Sequence, residues 1–311
     1  MPVRLAVTLG DPRGIGPEVL ARAAGDLLRE SQGAVALRFL GAGSDDLPFP
    51  VETVGEFDGS LVSAGRISGA AIERAVHLAR TGEVDGIVTG PIHKPALRAA
   101  GYPEPGHTEL LQRLTGVPSV GMLMAAEETR LGGPLRVLLA TTHIALEDVV
   151  AAVTTELLES QTRLLDRELR RGWALDAPRI ALCALNPHAS DGGLFGDQES
   201  RVLQPAVVSL REEGLDVTGP LPADTVFSRA VAGDFDAVVA PYHDVGMAAF
   251  KTVSFGAGVN VTLGLPFPRT SPDHGTAFDL VGRGLADPRS TLQALRLATR
   301  LARGRQGGSA L

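Results

Sequence analysis

The chain has 311 residues, 44% of them hydrophobic, and a formal net charge of −7 from 29 basic and 36 acidic side chains. That apolar content supports a large core and excludes a disordered chain; the mild acidity argues against broad nucleic-acid binding, which needs a basic face. With Cys183 as its single cysteine, the chain can form no intrachain disulfide, and a cysteine-based metal site is not expected.

The first element predicted is a strand, VRLAVTL (3–9), followed by a helix over GPEVLARAAGDLLRE in which Val19, Leu20, Ala23, Leu27 and Leu28 recur at helical spacing and Pro17 suits the first turn. The opening MPVRLAVTLGDP reads as this strand rather than as a leader, and no run reaches the length of a membrane span. A cytoplasmic protein without membrane partners is the expectation. ALRFLGA (36–42) is a second strand, ISGAAIERAVHLAR (67–80) an amphipathic helix, and GIVTG (86–90) a strand running into a turn. TGPIHKPALRAAGYPEPGHTELL (89–111) reads as irregular chain between structured regions. A long helical stretch is expected from about 145 to 171, a helix at about 198–213, and a frayed tail over GRQGGSAL at the end. This alternation predicts an α/β protein with a mainly parallel sheet.

Three buried-strand patterns end in histidine: LRVLLATTH at His143, RIALCALNPH at His188 and DAVVAPYH at His243. Ligands of open parallel sheets collect at the carboxyl ends of the strands, and three imidazoles there can hold one divalent metal while leaving positions open. Glycine-rich TLGDPRGIGPEV (8–19) joins a strand to a helix, so its backbone N–H groups can face an anion. It is neither a GxGxxG fingerprint nor a phosphate-binding P-loop. Lys94, His107 and Thr108 are candidate anion contacts. NPHASDGGLFGDQE (186–199) follows a candidate ligand with Gly192, Gly193 and Gly196, where backbone can pass close to something bound. The densest region, 240–280, holds His243, Asp244, Lys251, Asn260, Arg269, Asp273 and His274 interleaved with apolar residues. Lys251 and Arg269 are cationic donors suited to a phosphate.

GDPRGIGPE, TGPIHK, GHTELL, TTH, NPHASDGG, GPLPADT, YHDVGMAAFK and GVNVTLGLPFPRTSPDHGTAFDL occur in this order over nearly the whole chain. In this collinear set the chain resembles the 4-hydroxythreonine-4-phosphate dehydrogenase family of vitamin B6 biosynthesis. The resemblance implies a two-domain α/β fold like the isocitrate and isopropylmalate dehydrogenases, with mainly parallel sheets flanked by helices. Residues 1–115 plus 265–311 would form one domain and 116–264 the other, with the active site in the cleft between them. It implies NAD or NADP held by His274, Gly275 and Thr276, and one divalent metal (Zn²⁺, Mg²⁺, Co²⁺ or Mn²⁺) on His143, His188 and His243. Substrate contacts would come from His107, Thr108, Lys251, Asn260 and Arg269. It also implies a homodimer whose active sites draw on both chains.

The implied reaction oxidises a secondary alcohol of 4-(phosphooxy)-L-threonine to a β-keto acid, which loses CO₂ to give 3-amino-2-oxopropyl phosphate. Asp244, Lys251 and His107 are the candidates for the base. Three departures bear on the substrate: Val245 replaces the family's usual Gln, Ser190–Asp191 stand where GE is usual, and Arg13 replaces a small residue. The alternative substrates are D-threonate or D-erythronate 4-phosphate, or a carboxylated aromatic cis-dihydrodiol. From other classes, a phosphate acyltransferase shares a related fold but has no use for strand-end histidines. A non-catalytic metabolite-binding protein is the alternative from a further class, but it would have no need for the full metal and phosphate set.

Overall fold

The computed structural model describes residues 1–43 and 47–307. The chain divides into two compact units, Met1–Val120 with Val259–Leu311, and Gly121–Gly258. Unit 1 begins with β1 (Val3–Thr8), α1 (Gly16–Ser31), β2 (Val35–Ala42), β3 (Val51–Gly55), α2 (Leu61–Arg80), β4 (Gly86–Thr89), α3 (Lys94–Ala99) and α4 (His107–Thr115). Unit 2 holds β5 (Gly121–Ala126), β6 (Leu135–Leu139), α5 (Leu146–Ala152), α6 (Thr155–Trp173), β7 (Arg179–Cys183), α7 (Gln204–Glu212), β8 (Asp216–Leu221), α8 (Ala223–Val231), β9 (Ala237–Ala240) and α9 (His243–Ser254). The chain then returns to unit 1 with β10 (Val259–Leu263), β11 (Arg269–Pro272) and α10 (Arg289–Gly307).

In unit 1 the strand order is β3-β2-β1-β4-β11-β10, parallel except for the β10–β11 pair. In unit 2 it is β5-β6-β9-β7-β8, parallel except for β5–β6. Strands β4, β6 and β9 are buried at every position, as expected where helices cover both faces of a parallel sheet. Helix α1 buries Val19, Leu20, Ala23, Ala24 and Leu27 along one stripe, with Pro17 in its first turn. In unit 2, Val137, Leu139, Val238 and Phe250 share one core cluster. Trp173, at the end of α6, is buried; its indole N–H donates to Glu127 Oε1 at 2.9 Å, and Arg136 pairs with the same carboxylate at 2.8 Å.

Several elements differ from the sequence expectation. The helix expected over 145–171 is two helices, because Val153 leaves helical geometry and Thr154 caps α6 by accepting from the Leu157 N–H at 3.2 Å. The region 89–111 is not irregular: it contains all of α3 and the start of α4. The helix expected at 198–213 opens with a five-residue π-helical turn, Glu199–Leu203, before α7. Residues 304–307 of the expected frayed tail continue α10, and 308–311 lie outside the described residues. The chain re-enters unit 1 at Val259 rather than at 265, because β10 is laddered to β11 with Asn260 opposite Ser271.

Helix α3 owes its place to a backbone-to-backbone approach by α2. A Cβ added at Gly65 would lie 1.9 Å from the Ala96 carbonyl oxygen. Gly65→Ala is therefore expected to destabilise the protein by about 2 kcal/mol or more, read as a lowered urea midpoint. Gly25→Ala, whose Cβ would meet only the flexible end of Arg29 at 3.5 Å, is expected to be neutral or to stabilise by up to about 1 kcal/mol. Equal losses in the two variants would contradict the packing argument.

Candidate active site

The three strand-end histidines belong to unit 2, and their strands are neighbours. Strand β9 lies between β6 and β7 and is parallel to both, so the segments carrying His143, His243 and His188 leave one sheet at the same edge. The rings of His143 and His243 approach to 5.6 Å between centroids. His243 Nδ1 lies 2.7 Å from Asp244 Oδ1, which directs its Nε2 lone pair outward. His188 Nδ1 is 3.8 Å from Asp224 Oδ2. The donor chemistry suits a divalent cation that prefers imidazole. Among the described residues no three His, Cys, Asp or Glu side chains close around one point within this chain.

The turn that carries His188 is unusual. Residues 188 to 192 all have positive φ, from 44° to 68°, and four of them are not glycine. Left-handed backbone costs L-residues roughly 1–2 kcal/mol each, so other contacts must hold it. Glu199, buried at 4% exposure, accepts from the Leu185 and Asn186 N–H groups at 2.9 and 2.7 Å, from Asn186 Nδ2 at 2.8 Å, and from the Ser190 hydroxyl. Burial alone would raise the pKa of this carboxyl, but the hydrogen bonds from Asn186 and Ser190 outweigh it and hold the pKa below the ordinary value.

Unit 1 contains a second constellation. Arg269, on β11, is 2% exposed, and no carboxylate pairs with it among the described residues. Its Nη1 donates to Thr262 Oγ1 at 3.0 Å and its Nη2 to Thr89 Oγ1 at 2.5 Å, while its Nε–H has no acceptor. Burial pushes the guanidinium pKa down to about 9, which still leaves the group charged at neutral pH. Nε2 of His107 and Oδ1 of Asn260 are likewise buried without a hydrogen-bond partner. His107 and Thr108 lie in the first turn of α4, whose N-terminus carries no side-chain cap, so its amide dipoles also favour an anion. His107 is held well below the ordinary imidazole value, chiefly by burial and then by the positive charges of Arg269 and Lys94. Three of the predicted substrate contacts in unit 1 thus carry unsatisfied polar atoms. Lys251 lies on α9 in unit 2.

The glycine-rich 8–19 segment and the segment 274–276 expected to hold the dinucleotide meet within unit 1. The Ile15 N–H donates to the Thr276 carbonyl at 2.9 Å, and a Cβ at Gly14 would lie 2.9 Å from that same oxygen, so glycine is required for the approach. Gly275 faces open space. Both ring nitrogens of His274 are engaged inside the chain, with the Gly275 carbonyl at 3.0 Å and Thr291 Oγ1 at 3.3 Å, so what this segment presents is backbone. Arg13 pairs with buried Asp11 at 2.7 Å, lies 3.3 Å from His93 Nδ1 and stacks 5.3 Å from the Phe278 ring. Cavities of 610 and 950 Å³ both border Pro12 and Pro17.

A family description, "Pyridoxal phosphate biosynthetic protein PdxA", matches residues 32–298. The chain belongs to the PdxA family, a family of dehydrogenases. A Beijerinckia indica relative, "4-hydroxythreonine-4-phosphate dehydrogenase", is 44% identical over an alignment covering 96% of this chain and 94% of that protein. A Cupriavidus necator relative, "D-threonate 4-phosphate dehydrogenase", is 42% identical and covers 96% and 97%. The crystal structure of the Klebsiella pneumoniae 4-hydroxythreonine-4-phosphate dehydrogenase superposes with a TM-score of 0.79 at 37% identity, covering 96% of this chain and 99% of that one.

Within this PdxA chain, sequence reasoning singled out Arg269 and His188 as candidate site residues and missed the residues that hold them. Thr89 and Thr262 grip Arg269 from 180 and 7 residues away. Glu199 grips the His188 turn from the start of a separate helix. Their signal was present only as motif neighbours, in TGPIHK, GVNVTL and GDQE.

His107 provides a pH test. The unfolded chain takes up a proton on this ring as pH falls through about 6.5, whereas the folded chain does not. Folding therefore loses stability as pH falls below that value, by about 1.4 kcal/mol for each further pH unit. Relative to wild type, His107→Gln is expected to gain thermal stability between about pH 7.5 and about pH 5.5. A wild-type-minus-variant difference in Tm that is independent of pH would show that the buried ring protonates freely.

Proposed function

We propose that this chain is a 4-hydroxythreonine-4-phosphate dehydrogenase. It would oxidise 4-(phosphooxy)-L-threonine with NAD or NADP to a β-keto acid that decarboxylates to 3-amino-2-oxopropyl phosphate, in pyridoxal phosphate biosynthesis. The observation that carries this reading is the buried Arg269 guanidinium, without a counter-ion among the described residues, together with the unsatisfied atoms of His107, which feels its charge, and of Asn260 on the adjoining strand β10. A phosphate dianion supplies what that cluster lacks: acceptors for Arg269 Nε–H and a compensating charge. Asn260 Oδ1 needs a donor, which a substrate amine or hydroxyl provides. Family membership supports the phosphorylated hydroxy-acid class.

His143, His188 and His243 would hold a divalent cation, which when bound supplies Lewis acidity toward the substrate hydroxyl. The backbone of residues 14–15 and 275–276 would seat the nicotinamide cofactor, whose chemistry accepts the hydride. The candidates for the base are Asp244, Lys251 and His107; burial and the nearby positive charges that hold the His107 pKa down make its ring a weak proton acceptor, and the Asp244 carboxylate is engaged with His243. We also read the enzyme as a homodimer. Ile144, Leu146 and Val150, next to His143, leave apolar surface exposed, which supports that reading. Among the described residues no helix is long and apolar enough to cross a membrane.

A second reading, D-threonate 4-phosphate as substrate, is favoured by the Cupriavidus relative. The phosphate seat serves both substrates. The deciding experiment follows reduction of the nicotinamide by absorbance, with purified protein, a divalent metal and each substrate in turn. Chelator-sensitive turnover of the L-threonine phosphate supports the first reading. Turnover confined to the D-threonate phosphate moves the enzyme to the second, and silence with both would overturn the phosphate assignment. Arg269→Met is expected to raise KM for the phosphorylated substrate at least about 30-fold, since losing one partner of a buried charged pair costs roughly 2–5 kcal/mol. The unliganded protein should keep or gain thermal stability, because a buried charge without a partner has been removed. An unchanged KM would exclude Arg269 from the site.

A further inference from the structure

The left-handed turn at 188–192 lies directly on the proposed metal-bearing edge, and one buried carboxylate contacts the chain just before it and within it. Glu199 Oε1 receives the backbone N–H groups of Leu185 and Asn186, just before His188. Glu199 Oε2 receives the Asn186 side-chain amide and the Ser190 hydroxyl, the latter from just after His188. The remaining Asn186 interaction is with Gln198 Oε1 at 2.8 Å, so the anchor extends to the neighbour of Glu199. Gly196 closes the same loop: a Cβ there would fall 2.7 Å from Gln198 Oε1 and 3.0 Å from Asn186 Nδ2. Four neutral donors from residues 185, 186 and 190 thus meet the two oxygens of Glu199.

We propose that Glu199 is a positioning residue that fixes the left-handed turn through which β7 presents His188 to a divalent cation. This rests on the reading of His143, His188 and His243 as the metal-binding set. The carboxylate is suited to the task because two oxygens can accept from both flanks at once, while the residue at 188 itself contributes nothing to the clamp. Ser190 is part of the device in this chain: a serine in left-handed backbone gains a hydrogen bond to Glu199 that a glycine at that place has no atom to make. A glutamine at 199 could serve the two backbone N–H groups with its one oxygen, but would turn an NH₂ donor toward Asn186 and Ser190.

The test uses the full-length protein stripped of metal and titrated with Co²⁺, reading both the dissociation constant and the visible ligand-field spectrum. Neither requires turnover. Glu199→Gln is expected to weaken Co²⁺ binding at least about 10-fold, the scale on which groups behind metal ligands act, and to alter the spectrum. The far-ultraviolet circular dichroism should be retained. Ser190→Ala removes one donor and leaves the backbone clamp in place; it should fold if Glu199→Gln does not, and weaken Co²⁺ roughly five-fold. His188→Ala is run alongside and should weaken Co²⁺ more than either. Wild-type affinity and spectrum in folded Glu199→Gln and in Ser190→Ala, with His188→Ala impaired, would overturn the positioning role alone. Wild-type Co²⁺ binding by His188→Ala would instead remove the metal assignment, and the role of Glu199 with it.

Discussion

A buried guanidinium with no carboxylate partner among the described residues is the constraint on which the proposed chemistry of unit 1 depends. Charges of this kind are normally paired, because desolvation disfavours the ionised form. Here Arg269 is held by two threonine hydroxyls, one on β4 and one on β10, strands that flank its own β11. The hydroxyls fix the side chain without neutralising it, so the positive potential remains available to a ligand. The same charge helps to keep His107 neutral, so the two side chains are electrostatically coupled.

Unit 2 uses a different device. Its three adjacent parallel strands end together, and each is followed at once by a histidine-bearing segment. Two of these segments have simple origins: one is the loop after β6, the other the first residue of α9. The third runs through backbone that L-residues avoid, and it is the one anchored by a buried carboxylate. Strain and anchorage occur at the same place, as is common where a side chain must be presented in one orientation.

Much of this was legible in the sequence, for reasons that can be stated. β-Branched and apolar runs such as AVVA and GIVT mark strands buried on both faces, so their carboxyl ends, and with them the histidines, follow from the pattern. Arg269 and Asn260 stood out because charged and polar residues interrupt an apolar tract. The hidden parts depend on contacts between distant residues. Helices α3 and α4 have six and nine residues and are too short to announce themselves by periodicity; α3 is specified by packing on Gly65 of α2. The break at Val153–Thr154 interrupts a continuous helical pattern with a cap that propensity alone underrates. The Glu199 clamp spans 9 to 14 residues and the Thr89–Arg269 bond 180, separations at which no local pattern survives.

The single tryptophan of the chain, Trp173, sits in unit 2 with its indole tied to Glu127 beside Arg136. Unit 1 contains none. Light absorbed at the red edge of the indole band is therefore emitted by unit 2 alone, from a ring whose shielding from water depends on α6 remaining docked on its sheet. The molecule carries a built-in optical probe that reports the melting of one half without interference from the other, and requires no label to do so.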